Sequence, residues 1–157
     1  MGSGKTTVGR LLAGRIGFDF ADSDHEIESR AGLPVGQIFR VHGEAFFREL
    51  EEAAIRDLLT VERRVLATGG GAFARPAAAE ALLAGAFTIH LDCDFHEAFR
   101  RAAAQGGRPL VEKGESDVAS LYVERKDKYS RAHATVDTTS LSPEEVVKSV
   151  LRLLPSP

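Results

Sequence analysis

The chain has 157 residues, 43% of them hydrophobic, and a formal net charge of −3. That length and composition suit one globular unit over 1–157 with a core of its own, and the mild, dispersed charge offers no basic arm or tail to nucleic acid. A single cysteine, Cys93, excludes an internal disulfide, and no stretch reads as a signal peptide or a membrane span, so a soluble cytoplasmic protein is expected.

The chain opens on Gly2-Ser3-Gly4-Lys5-Thr6-Thr7, which reads as the second half of a phosphate-binding P-loop, G-x-x-x-x-G-K-[ST]. Glycines let backbone N–H groups converge on a phosphate, and the helix that follows turns its positive end toward the same anion. In such a loop Lys5 bridges the β- and γ-phosphates of ATP and the Thr6 hydroxyl ligates Mg²⁺. All six residues are therefore candidates for nucleotide binding. A bare Gly-Lys-Thr also arises by chance, as an ordinary helix cap. The first glycine of the motif, and the hydrophobic strand that usually feeds it, would lie upstream of Met1.

Helical spacing of Val8, Leu11, Leu12 and Ile16 predicts a helix over 6–16, stopped by Gly17. Residues 18–21 form a short strand-like run that ends in Asp22-Ser23-Asp24. A short helix around 26–30 follows, then a turn at Gly32-Leu33-Pro34. A second helical piece over 35–42 is broken by Gly43, and a long amphipathic helix runs over 44–59. Residues 64–67 are a buried-strand candidate leading into Gly69-Gly70-Gly71. Pro76 opens a helix that Gly85 closes, 86–91 is a strand, and 94–104 a helix. The stretch 105–116, with its glycines, charges and Pro109, reads as a mobile loop. A helix over 117–131, a strand over 135–137 and a helix over 142–154 complete the chain, the last with a capping box at Ser142-Pro143-Glu144-Glu145. Regular alternation of strand and helix predicts an α/β fold with a mostly parallel sheet, whose ligands gather at the carboxyl ends of the strands. The glycine loop, Asp22 with Asp24, and the triple glycine all fall at such ends.

Arg48-Glu49-Leu50-Glu51, then Ile55, then Val65-Leu66-Ala67-Thr68-Gly69-Gly70-Gly71 resembles the signature of the shikimate kinases. The opening Gly-Ser-Gly-Lys-Thr-Thr, the Asp-Ser-Asp and Arg108-Pro109-Leu110 extend the resemblance over nearly the whole chain, four motifs in order. It implies phosphorylation of the 3-hydroxyl of shikimate by MgATP, on the route to chorismate and the aromatic amino acids. It also implies a P-loop NTPase-type three-layer α/β/α fold with a closing lid, here at about 105–116, and a monomer.

Phosphoryl transfer needs positioning and charge neutralisation more than covalent help. Asp22 and Asp24 lie two apart, so on an extended segment their side chains share a face. The resemblance puts Asp24 on the shikimate hydroxyls, as base or orienter, and Asp22 near Mg²⁺ through water, although a solvated turn would also explain Asp22. A carboxylate substrate calls for a guanidinium fork. Arg48 and Arg125 match the family's carboxylate-binding arginines, with Tyr129 one turn after Arg125. Gly69, Gly70 and Gly71 would bring backbone N–H groups close to substrate. Arg108 matches the lid arginine that clamps the transferring phosphoryl group, and Arg101 and Pro143 the pair that sandwiches adenine. Lys5, Asp24 and Arg108 thus carry the expected catalysis. The five histidines, 25, 42, 90, 96 and 133, show no metal-ligand spacing, and Cys93 reads as a small core residue.

The family's first strand lies in the middle of its sheet, and the chain from Met1 holds neither that strand nor the first loop glycine, roughly 8–12 residues by ordinary element lengths. Its absence would expose two strand edges and remove core area on the scale of a whole domain's margin, about 5–15 kcal/mol. Two explanations compete: a start placed at a methionine within the loop, or a truncated product. The filled downstream positions favour the first. The chain from Met1 is expected to bind ATP weakly; a normal nucleotide affinity by calorimetry would overturn that. Two rival readings are a P-loop kinase of another acceptor, such as gluconate or a nucleoside monophosphate, and an inactive P-loop binding module. The former are not expected to combine the triple glycine with the Arg48 signature, and the latter conflicts with the presence of Lys5, Asp24 and Arg108.

Overall fold

A computed structural model of the chain describes residues 2–105 and 115–155. The expected lid, with Arg108, lies outside the described residues. In chain order the elements are α1 (Lys5–Ile16), β1 (Asp19–Asp22), α2 (Ser23–Ala31), α3 (Val35–Leu59), β2 (Arg64–Ala67), a 3₁₀ turn at Ala72–Ala74, α4 (Pro76–Gly85), β3 (Ile89–Asp92), α5 (Phe95–Gln105), α6 (Glu115–Tyr129), β4 (Ala134–Asp137) and α7 (Pro143–Leu153).

Local chemistry sets most of these boundaries where the sequence puts them. Gly43 adopts φ 81° and ψ 176°, a backbone state that glycine reaches without strain, so α3 is two helical limbs meeting at a break. Ser142 accepts from the Glu145 N–H while the Glu145 carboxylate accepts from the Ser142 N–H, the reciprocal cap expected for α7. Three elements shift by two residues or more. The strand expected over 86–91 starts only at Ile89, because Ala86 still belongs to the end of α4, its N–H donating to the Leu82 carbonyl. The helix expected over 117–131 begins at Glu115 and stops at Tyr129. The helix expected around 26–30 starts at Ser23, since Asp22 caps it with its own side chain.

Both strand pairs are parallel, as the alternation predicts. β1 lies beside β2 with Asp22 opposite Ala67, and β3 beside β4 with Asp92 opposite Asp137. Among the described residues these form two separate two-stranded ladders. Between the inner edges of β2 and β3 lies a cavity of about 710 Å³, walled by Val65, Leu66 and Ala67 on one side and Ile89, His90 and Leu91 on the other.

Side chains of β2 alternate between two helical layers, as the two-residue period of a strand requires. Val65 faces a cluster built on α1 and α7, with Val8, Leu12, Val146, Val147 and Val150 buried in it. Leu66 faces the opposite layer, where Ile55 of α3 packs with Ala78 and Leu82 of α4. A third cluster, Ile27, Ile38, Phe47 and Ala54, joins α2 to α3. Helices thus cover both faces of the strand layer, and the carboxyl ends of β1 and β2 open onto α2, α3 and the triple glycine.

Candidate active site

At the opening loop, Gly4 caps α1 in the left-handed region with φ 87°. A Cβ on Gly2 would fall 2.0 Å from the Ala98 carbonyl oxygen, so no larger residue fits that approach. Lys5 extends its amine to within 3.5 Å of the Ser3 hydroxyl, and Thr7 stands exposed in the first turn of α1. The Thr6 hydroxyl donates to Asp22 Oδ2 at 2.8 Å. The two residues read from sequence as metal ligands therefore meet directly. A hydroxyl and a carboxylate suit Mg²⁺, a hard cation that takes one or two protein oxygens and fills its remaining positions with phosphate and water. Among the described residues no group of three or more His, Cys, Asp or Glu side chains is placed to hold a metal ion.

Asp22 and Asp24 are not arranged as the sequence suggests. Asp24 lies in the first turn of α2 rather than on an extended segment, and its N–H donates to Asp22 Oδ1 at 3.0 Å. Asp22 is thereby both helix cap and partner of Thr6, using one oxygen for each. The Asp24 carboxyl lies against Gly69. Burial, then the charges of Asp22 and Glu51, push its carboxyl up to about 6, against a smaller opposing pull from Lys5.

Arg48 projects from α3 toward the same space. Its Nη1 donates to Glu51 at 2.7 Å, and its Nε and Nη2 donate to Glu44 at 3.2 and 3.1 Å. Glu51 is 2% exposed, a buried carboxylate held by that bond. The sequence counts Glu51 into its signature but gives it no role. Its position one helical turn from Arg48 was the available signal.

The triple glycine supplies room for two charged side chains. A Cβ on Gly69 would sit 2.4 Å from Asp24 Oδ1, and one on Gly71 2.5 Å from Arg48 Nη1. The Gly69 N–H, expected to approach substrate, instead donates to Ser23 Oγ at 2.9 Å. The Gly70 carbonyl accepts from Arg125 Nη1 at 3.0 Å and from the Tyr129 hydroxyl. Asp24, Arg48, Arg125 and all three glycines thus converge at the carboxyl ends of β1 and β2.

The family model for shikimate kinase matches residues 1–155 of this chain. The chain belongs to the shikimate kinase family. A shikimate kinase of Persephonella marina is 37% identical over 151 residues, which cover 96% of this chain and 92% of the relative. One of Salinispora tropica is 41% identical, covering 99% and 93%. Among solved structures, the shikimate kinase from Acinetobacter baumannii in complex with shikimate superposes with a TM-score of 0.92 at 36% identity, over 98% of this chain and 87% of that one. The fold is accordingly that of the P-loop NTPases, α/β with parallel strands.

The residues that the family resemblance assigns to adenine stand apart from this cluster. Arg101 on α5 is pinned by Glu97 at 2.6 Å and by the carbonyls of Thr138 and Thr139 at 3.2 and 2.9 Å. Those carbonyls belong to the segment that leads from β4 to Pro143, the exposed first residue of α7. Glu97 and the two threonines carry no recognisable motif, because their role is to hold another side chain. Cys93 is buried, and burial pushes its thiol up, as suits a core residue. No helix among the described residues is long and apolar enough to cross a membrane.

Proposed function

We propose that this chain transfers the γ-phosphoryl group of ATP to the 3-hydroxyl of shikimate, giving shikimate 3-phosphate for the synthesis of chorismate and the aromatic amino acids. The observation that carries this reading is the setting of Asp24. Asp22 and Lys5 of the phosphate end act on its carboxyl by their charges, as does Glu51 of the carboxylate-binding end, and Gly69 approaches it closely.

A carboxyl held near 6 is ionised at neutral pH and basic enough to take a proton as it is released, the property wanted of a general base. As the 3-hydroxyl oxygen bonds to the γ-phosphorus and the bond to ADP breaks, the hydroxyl proton passes to Asp24. Arg48 and Arg125 would hold the shikimate carboxylate by charge-assisted hydrogen bonds. Lys5 and the backbone of Gly2, Ser3, Gly4, Thr6 and Thr7 would cradle the phosphates, with Arg101 and Pro143 on either side of the adenine. Thr6 and Asp22 would hold Mg²⁺, which supplies neutralisation of phosphate charge. Arg108, by family resemblance, would clamp the transferring group. We read the whole as a single-domain monomer of the cytoplasm.

ADP release with shikimate, with gluconate and with no acceptor tests this. Shikimate-dependent release is expected. Release with gluconate and not shikimate would make the chain a kinase of another acceptor, and silence from folded protein would favour the inactive binding module.

A further inference from the structure

We infer that Tyr129 is a positioning residue for substrate: through the Gly70 carbonyl it fixes both the triple-glycine turn and the guanidinium of Arg125. The inference rests on the shikimate reading above and adds a residue to it. Tyr129 and Arg125 lie one turn apart on α6, and both donate to the same carbonyl oxygen, Gly70 O. A carbonyl oxygen has two lone pairs, so these two donors saturate it.

The tyrosine is the stiffer of the two donors. Its ring is half-buried, 4.9 Å from the His90 ring of β3 and 6.4 Å from that of Phe73. Burial pushes its hydroxyl above the ordinary tyrosine value, so it remains protonated and a donor throughout the neutral range. Arg125 touches Gly70 through Nη1, which leaves its Nε and Nη2 edge outside that contact. Flexible arginine therefore borrows its direction from a peptide group that Tyr129 holds.

The Gly70 peptide also lies between the two glycines whose missing Cβ atoms leave room for other substrate-binding side chains, Gly69 for Asp24 and Gly71 for Arg48. Rotation of that peptide would displace the turn chiefly relative to the two arginines, since Arg125 bonds its carbonyl and Gly71 beyond it lies against Arg48. Removing the hydroxyl frees the rotation while leaving the ring contacts in place.

Calorimetric titration of shikimate into the protein and into Tyr129→Phe, without nucleotide, tests this, alongside steady-state kinetics and melting curves. The variant should bind shikimate about tenfold more weakly, the scale of one hydrogen bond to a well-placed group. Its KM for shikimate should rise by the same factor, with KM for ATP and kcat unchanged within about twofold. A purely structural tyrosine would lower the melting temperature or kcat and leave the shikimate affinity alone. Equal affinities in the two proteins, or equal rises in both KM values, overturn the inference. If the unaltered protein does not bind shikimate at all, the shikimate reading falls, and this inference with it.

Discussion

Arg48 and Glu51 lie one turn apart on α3 and meet at 2.7 Å, with the glutamate fully enclosed and the arginine side chain 16% exposed. The pair is asymmetric. Arg48 has a second carboxylate, Glu44, at its solvent edge, whereas Glu51 forms its salt bridge with Arg48. Burial still raises the Glu51 carboxyl, Arg48 offsetting part of that. The arginine is thus turned inward by the buried partner and steadied from outside by the exposed one.

Removing one member of a buried pair strands the other. Glu51→Ala should destabilise the fold by about 3–5 kcal/mol, read as a lower midpoint in urea, because it leaves Arg48 half-buried with only an exposed partner. Glu44→Ala, at the surface, should change stability by less than about 1 kcal/mol. Similar losses from both would show that the inner bond carries no special weight.

Asp24 illustrates a site residue that weakens its own fold. Its carboxyl is raised from 3.8 to about 6, so the folded state holds a proton that the unfolded state gives up between those values. That stabilisation is complete below pH 3.8 and disappears as pH rises through 6. At neutral pH the ionised carboxylate stands against the fold by about 3 kcal/mol at most. Asp24→Asn removes the ionisation. It should raise stability by about 1–3 kcal/mol at pH 7.5, show little gain at pH 4, and cut phosphoryl transfer by about 10²-fold or more. A stability gain of the same size at both pH values would locate its origin elsewhere than in the charge.

How much of this was legible beforehand depends on what each residue does. Lys5, Thr6, Asp24, Arg48 and the glycines belong to spaced patterns, and periodicity placed their elements within a few residues. The start of α2 was misplaced because a polar Asp-Ser-Asp shows no apolar period; only the cap at Asp22 reveals that Ser23 and Asp24 are already helical. Glu51, Ser23, Glu97 and Tyr129 act by holding another group in place, across as many as 59 positions in the case of Tyr129 and Gly70. The long-range contacts of Ser23 and Tyr129 exist only in the fold, whereas Glu51 and Glu97 stand one helical turn from Arg48 and Arg101 in the sequence itself. The sequence points to the N–H groups of the triple glycine, of which that of Gly69 is taken by Ser23; that its bare Cα positions also admit Asp24 and Arg48 is a requirement invisible without coordinates.

That requirement is directly testable. Gly71→Ala places a methyl 2.5 Å from Arg48 Nη1, the far end of a flexible side chain, so the guanidinium must yield rather than the backbone. Shikimate affinity should fall at least about tenfold, and the urea midpoint should fall by less than in Glu51→Ala, since the Arg48–Glu51 bond is displaced but neither charge is removed. Gly69→Ala places its methyl 2.4 Å from Asp24 Oδ1 and should depress kcat as well, by displacing the carboxyl from the reacting hydroxyl. A large loss of stability with unaltered affinity in the surviving folded protein would mean that the glycines serve the turn and not the side chains.

The cavity between β2 and β3 makes a prediction about dynamics. Among the described residues each of these strands is hydrogen-bonded to a neighbour on its outer side only, β2 to β1 and β3 to β4, while both inner edges border about 710 Å³ of space. In a strand, successive N–H groups point to opposite edges, so each carries amides of two kinds. Those directed at β1 or β4 are locked in a ladder, and those directed at the cavity have no ladder partner among the described residues. Amide hydrogen exchange should therefore alternate along β2 and β3, with cavity-facing positions exchanging at least about tenfold faster than their neighbours. Uniform protection along both strands would mean that the inner edges close on each other in solution. Walls built from Val65, Leu66, Ile89 and Leu91 would favour that collapse through apolar burial, against the cost of pulling β2 and β3 away from the helices that now hold Val65 and Leu66 in separate layers.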